Sequence, residues 1–372
     1  MRREVQLPGL GALTRSESAE HAERWARRVR DRVVHQDSEA HVALVLRTLG
    51  VDEALFRRAL DAHVLERERG ADTLAALAAA WSGLAPHTAP LPSLPPSVCP
   101  ACGARDVAPW LARGVSGAPA LVLGRCGKCG HGVTLAGGAG AEVYDARYYA
   151  SRDPGGAGYA DYSGEQSYRE AKGERVLDFV QARGMRPLAS LLEVGSGFGF
   201  TRRAAERRGW RTAGVDQNPE ARRGAEQLYG MPTHTGTLGA ALDAGAVEAG
   251  AWDVVLYQFV LEHVPDPVAE LSVAARAVSP GGVLALTVPS MDAAELEVFG
   301  ASYRSLRRDH LQLFSRRSMQ HVLERAGWAL CAWETECSVH LLAGFLSASE
   351  LCALYAEGRG PDAWVLAETR SA

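Results

Sequence analysis

The sequence predicts an α/β fold built around a mostly parallel sheet, and three observations support this. From about residue 165 onward, strand-like segments alternate with segments of helical periodicity. A buried apolar strand runs directly into a glycine-rich turn at 195–199, and the next strand ends on an acid, Asp216. The candidate strands are 190–194, 211–215, 253–258, 282–288, 328–335 and 363–368.

Length and composition fit a globular chain of two or three domains. The chain has 372 residues, of which 47% are hydrophobic and 23% charged, and a typical domain has ~150 residues. The formal net charge of −4 argues against a nucleic-acid partner, since such proteins usually carry a basic excess. Only two of the 40 basic residues are lysine, which we interpret as a coding bias toward arginine.

No targeting or membrane segment is expected. Residues 1–15 lack the apolar core of a signal peptide. The longest apolar stretches have about eight residues, whereas a membrane-spanning helix needs ~20. We therefore expect a cytoplasmic protein without a membrane partner, whose cysteines stay reduced.

Apolar residues at helical spacing predict a small helical module near the N-terminus. Residues 16–85 show four such stripes, the first through Trp25 and Val29. Five prolines between residues 86 and 96 prevent helices from continuing and predict a stiff linker. Residues 1–92 are assigned to this module and its linker.

Two CxxC pairs, with 23 residues between them, predict a metal site. Four thiolates form the ligand set that tetrahedral zinc prefers, so we expect a structural Zn²⁺ in a small knuckle at 93–140. A redox CxxC is disfavoured, because the pairs are matched and neither opens a helix after a strand. His131 is not expected to be a ligand. The predicted ligands are Cys99, Cys102, Cys126 and Cys129, whereas Cys331, Cys337 and Cys352 show no ligand spacing.

The glycine-rich segment Glu193 to Gly199 reads E-V-G-S-G-F-G. Dinucleotide-binding folds use similar loops, but their third glycine lies inside the helix, where this chain has Phe200 and Thr201. Asp216 at the tip of the next strand can bind a ribose diol. Further along, Trp252–Gln258 forms a strand followed by L-E-H-V-P-D-P, and a turn and strand cover Ser279–Pro289.

These segments, in this order, resemble the class I S-adenosylmethionine (SAM)-dependent methyltransferases, from Tyr148 to the C-terminus. The resemblance implies a Rossmann-like sheet of seven strands, so we assign residues 141–372 to such a domain, with a substrate-wall insertion at about 289–327. L-E-H-V-P-D-P at 261–267 and D-H-L-Q-L-F-S at 309–315 are similar to one branch of the family. Members of that branch often carry a cysteine-rich knuckle and a tyrosine-rich segment in front, and many act on specialised metabolites.

The resemblance also implies roles for individual residues. The residues expected to bind SAM are Glu193, Gly195, Ser196, Gly197, Phe198, Gly199, Asp216, Gln217, Thr237, Leu238 and Gln258. His263 and His310 are candidate general bases, since histidine titrates nearest neutral pH. Weaker candidates for contact with the substrate are Tyr162, Tyr257, Tyr303 and Arg304.

The favoured hypothesis is methyl transfer to a small molecule, such as a sugar, a peptide-derived metabolite or a carrier-bound intermediate. One alternative is a methyltransferase of RNA or protein that uses the zinc module for recognition. A second is a protein that binds SAM without turnover. The sequence does not predict the oligomeric state.

Overall fold

The computed structural model describes residues 88–115, 118–140, 143–145, 147–150, 158–159, 161–183, 188–336 and 348–370, and six isolated positions: Leu74, Ala75, Ala78, Trp81, Leu342 and Leu346. Most of the predicted helical module at 1–92, and the side chains of Cys337 and Cys352, lie outside the residues described in this way.

The main sheet has seven strands. These are β5 (Ser190–Val194), β6 (Arg211–Asp216), β7 (His234–Thr235), β8 (Trp252–Gln258), β9 (Val278–Pro289), β11 (Trp328–Glu336) and β12 (Asp362–Thr369). They lie in the order β11-β12-β9-β8-β5-β6-β7, in which β12 alone runs antiparallel to its neighbours. The predicted seven-stranded Rossmann-like fold is confirmed, and each of the six candidate strands lies within an observed strand.

Helices cover both faces of this sheet. They are α1 (Gln166–Gln181), α2 (Phe200–Arg207), α3 (Pro219–Tyr229), α4 (Leu238–Asp243), α5 (Pro267–Ala274), α6 (Ala294–Phe299), α7 (Arg316–Arg325) and α8 (Ala348–Ala356). Successive side chains of β5 point to opposite faces: Leu191 packs in the core cluster that contains α1 and α2, and Leu192 in the cluster that contains α4, α5 and α7. Both faces of the sheet are therefore buried. Among the described residues, no helix is long and apolar enough to cross a membrane.

A second sheet joins the cysteine region to the predicted insertion. Its strands are β1 (Ser97–Val98), β2 (Arg105–Val115), β3 (Ala118–Cys126), β4 (Gly132–Ala136) and β10 (Gln312–Leu313). The insertion supplies β10, which pairs antiparallel with β4. Leu121 and Leu123 of β3 share a buried cluster with Leu296 and Tyr303 of the insertion. The two regions therefore have a common core, although the boundaries at 93–140 and 289–327 stay predictions.

Candidate functional site

The glycine loop makes a tight turn where β5 ends. Gly195, Gly197 and Gly199 have φ angles of 67°, 49° and 81°, which glycine adopts without the strain that a Cβ would bring. This turn aims the Gly197 N–H at the neighbouring strand, where it donates to Oδ2 of Asp216 at 2.9 Å. The loop and the acid predicted for one ligand therefore lie in direct contact.

Asp216 is a buried carboxylate held by three donors. Besides Gly197, the Asn218 N–H donates to Oδ1 at 2.8 Å and the Tyr149 hydroxyl to Oδ2 at 3.4 Å. Burial raises the pKa of Asp216, and the hydrogen bonds from Asn218, Gly197 and Tyr149 oppose that effect. The carboxylate is thus fixed at the end of β6, at the carboxyl edge of the sheet where α/β folds bind ligands.

Glu193, on β5 directly before the loop, is a second buried acid. Burial raises its pKa to about 8, and the nearby Arg202 guanidinium opposes that shift. Among the described residues, its Oε2 atom and the Ser196 hydroxyl have no hydrogen-bond partner. Buried polar atoms usually have partners, so this part of the loop has hydrogen-bonding capacity available for a ligand.

Aromatic side chains cover the glycine loop. Tyr149 packs on Tyr162 and Phe198 with ring centroids 4.8 and 4.9 Å apart. The Tyr162 hydroxyl lies 2.5 Å from the position that a Cβ on residue 197 would take. The guanidinium of Arg169 lies 4.0 Å from the Tyr162 ring centroid. Tyr162 therefore adjoins the predicted cofactor loop, and Tyr149, which the sequence did not single out as a site residue, contacts its acid.

The end of β8 lies beside the same loop. The Gln258 side chain accepts a hydrogen bond from the Thr201 hydroxyl at 2.6 Å, which ties β8 to the start of α2. The next residue, Phe259, has a φ of 56°, a strained value for a residue with a side chain. This bend turns the chain toward the segment Leu261–His263 at the mouth of the sheet.

The other predicted cofactor residues occupy different surroundings. Gln217 is exposed, and Thr237 caps α4 by accepting a hydrogen bond from the Ala240 N–H. Leu238 is fully buried in the apolar core. Its side chain therefore packs inside the fold.

His263 and His310 are brought together from separate segments. Their rings are 4.9 Å apart between centroids and nearly perpendicular. His263 Nδ1 donates to the Asp309 carbonyl at 2.6 Å, and His310 Nδ1 donates to the Ser305 carbonyl at 2.9 Å. Because a carbonyl only accepts, each Nδ1 carries the proton and each Nε2 carries the lone pair. Burial lowers the pKa of both imidazoles, which favours their neutral forms.

Glu262, between Leu261 and His263, is fully buried beside the pair. Burial raises the pKa of its carboxyl group to about 8. Sequence reasoning missed this residue, because no periodicity or spacing distinguishes it within the motif at 261–267, in which only His263 was predicted to have a role.

Three predicted substrate residues are committed to contacts within the fold. Tyr257 is fully buried, and its hydroxyl donates to Glu270 at 2.9 Å. Tyr303 is also fully buried and donates to the backbone carbonyls of Ser290 and Pro361. Arg304 forms an ion pair with Asp362 at 2.9 Å. The Tyr257 and Tyr303 hydroxyls and the Arg304 guanidinium therefore already have partners within the fold, which argues against the substrate contacts predicted for these three residues.

The four predicted zinc ligands converge on one point. The Cys99 and Cys129 sulfurs are 3.6 Å apart, and those of Cys102 and Cys126 are 3.7 Å apart. Tetrahedral zinc with Zn–S bonds of about 2.3 Å needs sulfurs about 3.8 Å apart, so the four positions fit this ion. His131 instead contacts Gln312 Oε1 at 2.8 Å through Nε2, in agreement with its exclusion from the ligand set.

Comparisons with known proteins agree with this geometry. A family model described as a methyltransferase domain matches residues 166–332. Residues 166–332, somewhat less than half of the chain, thus resemble a methyltransferase domain. The ubiquinone biosynthesis O-methyltransferase of Xanthomonas campestris pv. campestris (strain B100) is 33% identical over 148 residues, which cover 38% of this chain and 62% of that protein. The enzyme of the same name from Hahella chejuensis is 33% identical over 116 residues, 29% of this chain and 46% of that protein.

A solved SAM-dependent methyltransferase from Archaeoglobus fulgidus is 18% identical, with a TM-score of 0.40 over 55% of this chain and 97% of that one. This likeness is too distant to support an inference about residues. The chain matches less than two thirds of the length of the two curated ubiquinone biosynthesis O-methyltransferases. The family match supports the predicted methyltransferase domain, and the roles of individual site residues stay predictions.

Proposed function

We propose that this protein transfers the methyl group of SAM to a small-molecule acceptor. The contact between Gly197 and Asp216 carries the proposal, because it places a backbone donor and a carboxylate at the carboxyl ends of adjacent parallel strands. When bound, SAM supplies an electrophilic methyl group on a sulfonium sulfur.

The described residues fit this cofactor. The Asp216 carboxylate is suited to accept hydrogen bonds from the ribose hydroxyls. The unpartnered Glu193 Oε2 and Ser196 hydroxyl offer further polar contacts at the loop, and the left-handed glycines allow the backbone to approach the ligand closely. The rings of Tyr149, Tyr162 and Phe198 would exclude water from this side of the site.

The acceptor would enter from the side of His263 and His310. Either neutral imidazole can take a proton from an acceptor hydroxyl through its Nε2 lone pair. Transfer then forms a bond between the acceptor oxygen and the methyl carbon, and breaks the bond between that carbon and sulfur. A hydroxyl acceptor is supported by the curated relatives, which are named O-methyltransferases of ubiquinone biosynthesis.

The four cysteines would hold a structural zinc ion that stabilises the smaller sheet. Four thiolates leave no open coordination position for a substrate, which argues against a catalytic role. Because β10 belongs to both the smaller sheet and the insertion, this zinc would also stabilise the segment that carries His310.

Calorimetry with SAM tests the proposal. Asp216→Ala should weaken binding about a hundredfold, since hydrogen bonds to charged groups contribute about 1.5–3 kcal/mol each. Gly197→Ala should also weaken binding, because its Cβ would meet the Tyr162 hydroxyl.

Matched controls separate the site from general effects. Asp243→Ala removes an exposed acid that pairs with Arg276. Gly245→Ala places a Cβ at a similar φ of 68° with no neighbour within 4 Å. Both controls should bind SAM as the wild type does. Absence of binding by the wild type, or equal binding by Asp216→Ala, would contradict the proposed function. Binding without transfer to any hydroxyl-bearing metabolite would favour the non-catalytic alternative.

A further inference from the structure

Three side chains beside the glycine loop form a second potential metal-binding cluster. Glu262, His263 and His310 each direct one donor atom to a common region, and these atoms lie within 4.8 Å of one another. The cluster is separate from the four cysteines and contains nitrogen and oxygen donors rather than sulfur.

Both imidazoles are held in the manner typical of metal ligands. Such histidines usually donate their other ring N–H to a carbonyl or carboxylate, which fixes the tautomer and the ring orientation. Here the Nδ1 atoms of His263 and His310 donate to the carbonyls of Asp309 and Ser305. Both Nε2 lone pairs are consequently available, and the structure shows no hydrogen bond to either among the residues it describes.

The backbone around the cluster is fixed by further hydrogen bonds. The Leu311 N–H donates to the Glu262 carbonyl at 2.7 Å, which joins the two segments that carry the ligands. The Thr134 hydroxyl, on β4, donates to the His310 carbonyl at 2.7 Å. The positions of the donors therefore do not depend on a mobile loop, and the smaller sheet helps to hold one of them.

Glu262 supplies the observation that points to a ligand. Its side chain is fully buried, and neither carboxylate oxygen has a hydrogen-bond partner from another described residue. A buried carboxyl group without a partner is costly for the fold. Arg307, the nearest guanidinium that influences it, is already hydrogen-bonded to both oxygens of Asp309. A bound cation would compensate for the burial of Glu262.

We propose that Glu262, His263 and His310 bind a divalent transition-metal ion, with two imidazole nitrogens and one carboxylate oxygen as ligands. This ligand set occurs at zinc sites that keep a position open for water or substrate. Metal–ligand bonds of about 2.0–2.2 Å require donors about 3.3 Å apart, so the three donors, which lie within 4.8 Å of one another, would move closer together on binding.

The catalytic consequence of this site rests on the proposed function. A metal ion and a proton would use the same Nε2 lone pairs, so with an ion bound the histidines could not take up the acceptor's proton, which would pass to solvent water instead. An acceptor oxygen bound at the open position would lose its proton more easily, because a divalent ion lowers the pKa of an oxygen ligand. The site would thus favour acceptors with a hydroxyl group over carbon acids.

Binding of Mn²⁺, followed by the electron paramagnetic resonance signal of the free ion, tests the site without an acceptor. Mn²⁺ accepts nitrogen and oxygen ligands, whereas thiolates prefer softer ions, so the cysteine cluster should not contribute. Wild-type protein should bind one Mn²⁺ per chain in a saturable manner, and added Zn²⁺ should displace it. Glu262→Gln and His310→Ala should each weaken binding at least about tenfold, the minimum usually lost on changing even an outer partner.

Two substitutions on α7 provide matched controls. Glu324→Gln and His321→Ala remove the same chemical groups from a half-exposed helix, and both should bind Mn²⁺ as the wild type does. Thermal unfolding verifies that each variant is folded. If His310→Ala does not fold, the nearly isosteric Glu262→Gln decides the question.

Either of two results would contradict the proposed metal site. Wild-type protein that shows no saturable Mn²⁺ binding, or Glu262→Gln that binds as tightly as the wild type, contradicts it. Calorimetry with S-adenosylhomocysteine on the same samples keeps the two proposals separate. Nucleoside binding without Mn²⁺ binding removes the metal site alone, whereas Mn²⁺ binding without nucleoside binding removes the proposed function alone.

Discussion

The two halves of the site differ in how much of the chain each one uses. The cofactor half, defined by Glu193–Gly199 and Asp216, comes from two consecutive strands and the turn that follows the first of them. The acceptor half, defined by Glu262, His263 and His310, comes from two distant segments, and a third segment holds one of them through Thr134. One half is local in sequence and the other is assembled by tertiary structure.

This difference shows how each half gains its shape. In the cofactor half, backbone conformation sets the geometry, since left-handed glycines aim an N–H at a carboxylate on the adjacent strand. In the acceptor half, backbone carbonyls of the insertion orient two imidazoles, and the smaller sheet supports the insertion through β10. Loss of the smaller sheet should therefore damage the acceptor half and spare the cofactor half.

The largest effect is expected from Cys126→Ser. This change removes one of the four proposed zinc ligands, and structural zinc contributes about 10–16 kcal/mol to the folding of small zinc modules. Zinc content by elemental analysis should fall below one ion per chain. Hydrogen exchange should become faster in residues 118–136 and 305–313, while residues 190–216 stay protected.

Cys331→Ser serves as the control, because it removes an exposed thiol from β11. It should leave zinc content and exchange unchanged. If Cys126→Ser also exposed residues 190–216, the two halves would be one cooperative unit and the comparison between them would fail.

Local patterns predicted the strands and turns that carry the cofactor half. The six longer strands of the main sheet, the glycine turn and the helix opened by Asn218 and Pro219 all follow from periodicity and from the capping chemistry of neighbouring residues. The four cysteines were predicted in the same way, since CxxC spacing fixes two thiolates at once.

Tertiary pairing could not be predicted in this way. Strands β7 and β10 have two residues each, too few for any periodicity to show. The contact of Tyr149 with Asp216 and the convergence of Glu262 with His310 join residues far apart in the chain. The arginines, interpreted as compositional bias, include Arg307, which pairs with Asp309 and so helps to fix the insertion.

Glu193→Gln should produce an effect of intermediate size. Burial raises the pKa of Glu193 to about 8, from an ordinary value of 4.5. The folded protein thus binds a proton that the unfolded chain releases more readily. The contribution of this bound proton to the free energy of unfolding is complete below about pH 4.5 and is lost as the pH rises through about 8.

The test compares urea unfolding of wild type and Glu193→Gln at about pH 5 and about pH 9. The variant cannot ionise at this position. Between these two pH values its free energy of unfolding should therefore fall by on the order of a few kcal/mol less than that of the wild type. Glu206→Gln, a change in a half-buried acid on α2, should retain the wild-type slope. Parallel pH dependence of wild type and Glu193→Gln would show that Glu193 is ionised in the folded state.

The smallest effect should come from Tyr149→Phe, which separates the ring of the aromatic cover from its hydroxyl. The hydroxyl contact with Asp216 is long, at 3.4 Å, and two shorter backbone donors hold the same carboxylate. Loss of the hydroxyl should change SAM affinity by no more than about threefold, the lower range for one hydrogen bond. Tyr149→Ala also removes the packing on Tyr162 and Phe198, and should weaken binding by about tenfold or more. If both variants bound SAM equally weakly in calorimetry, the hydroxyl rather than the ring packing would be the important group.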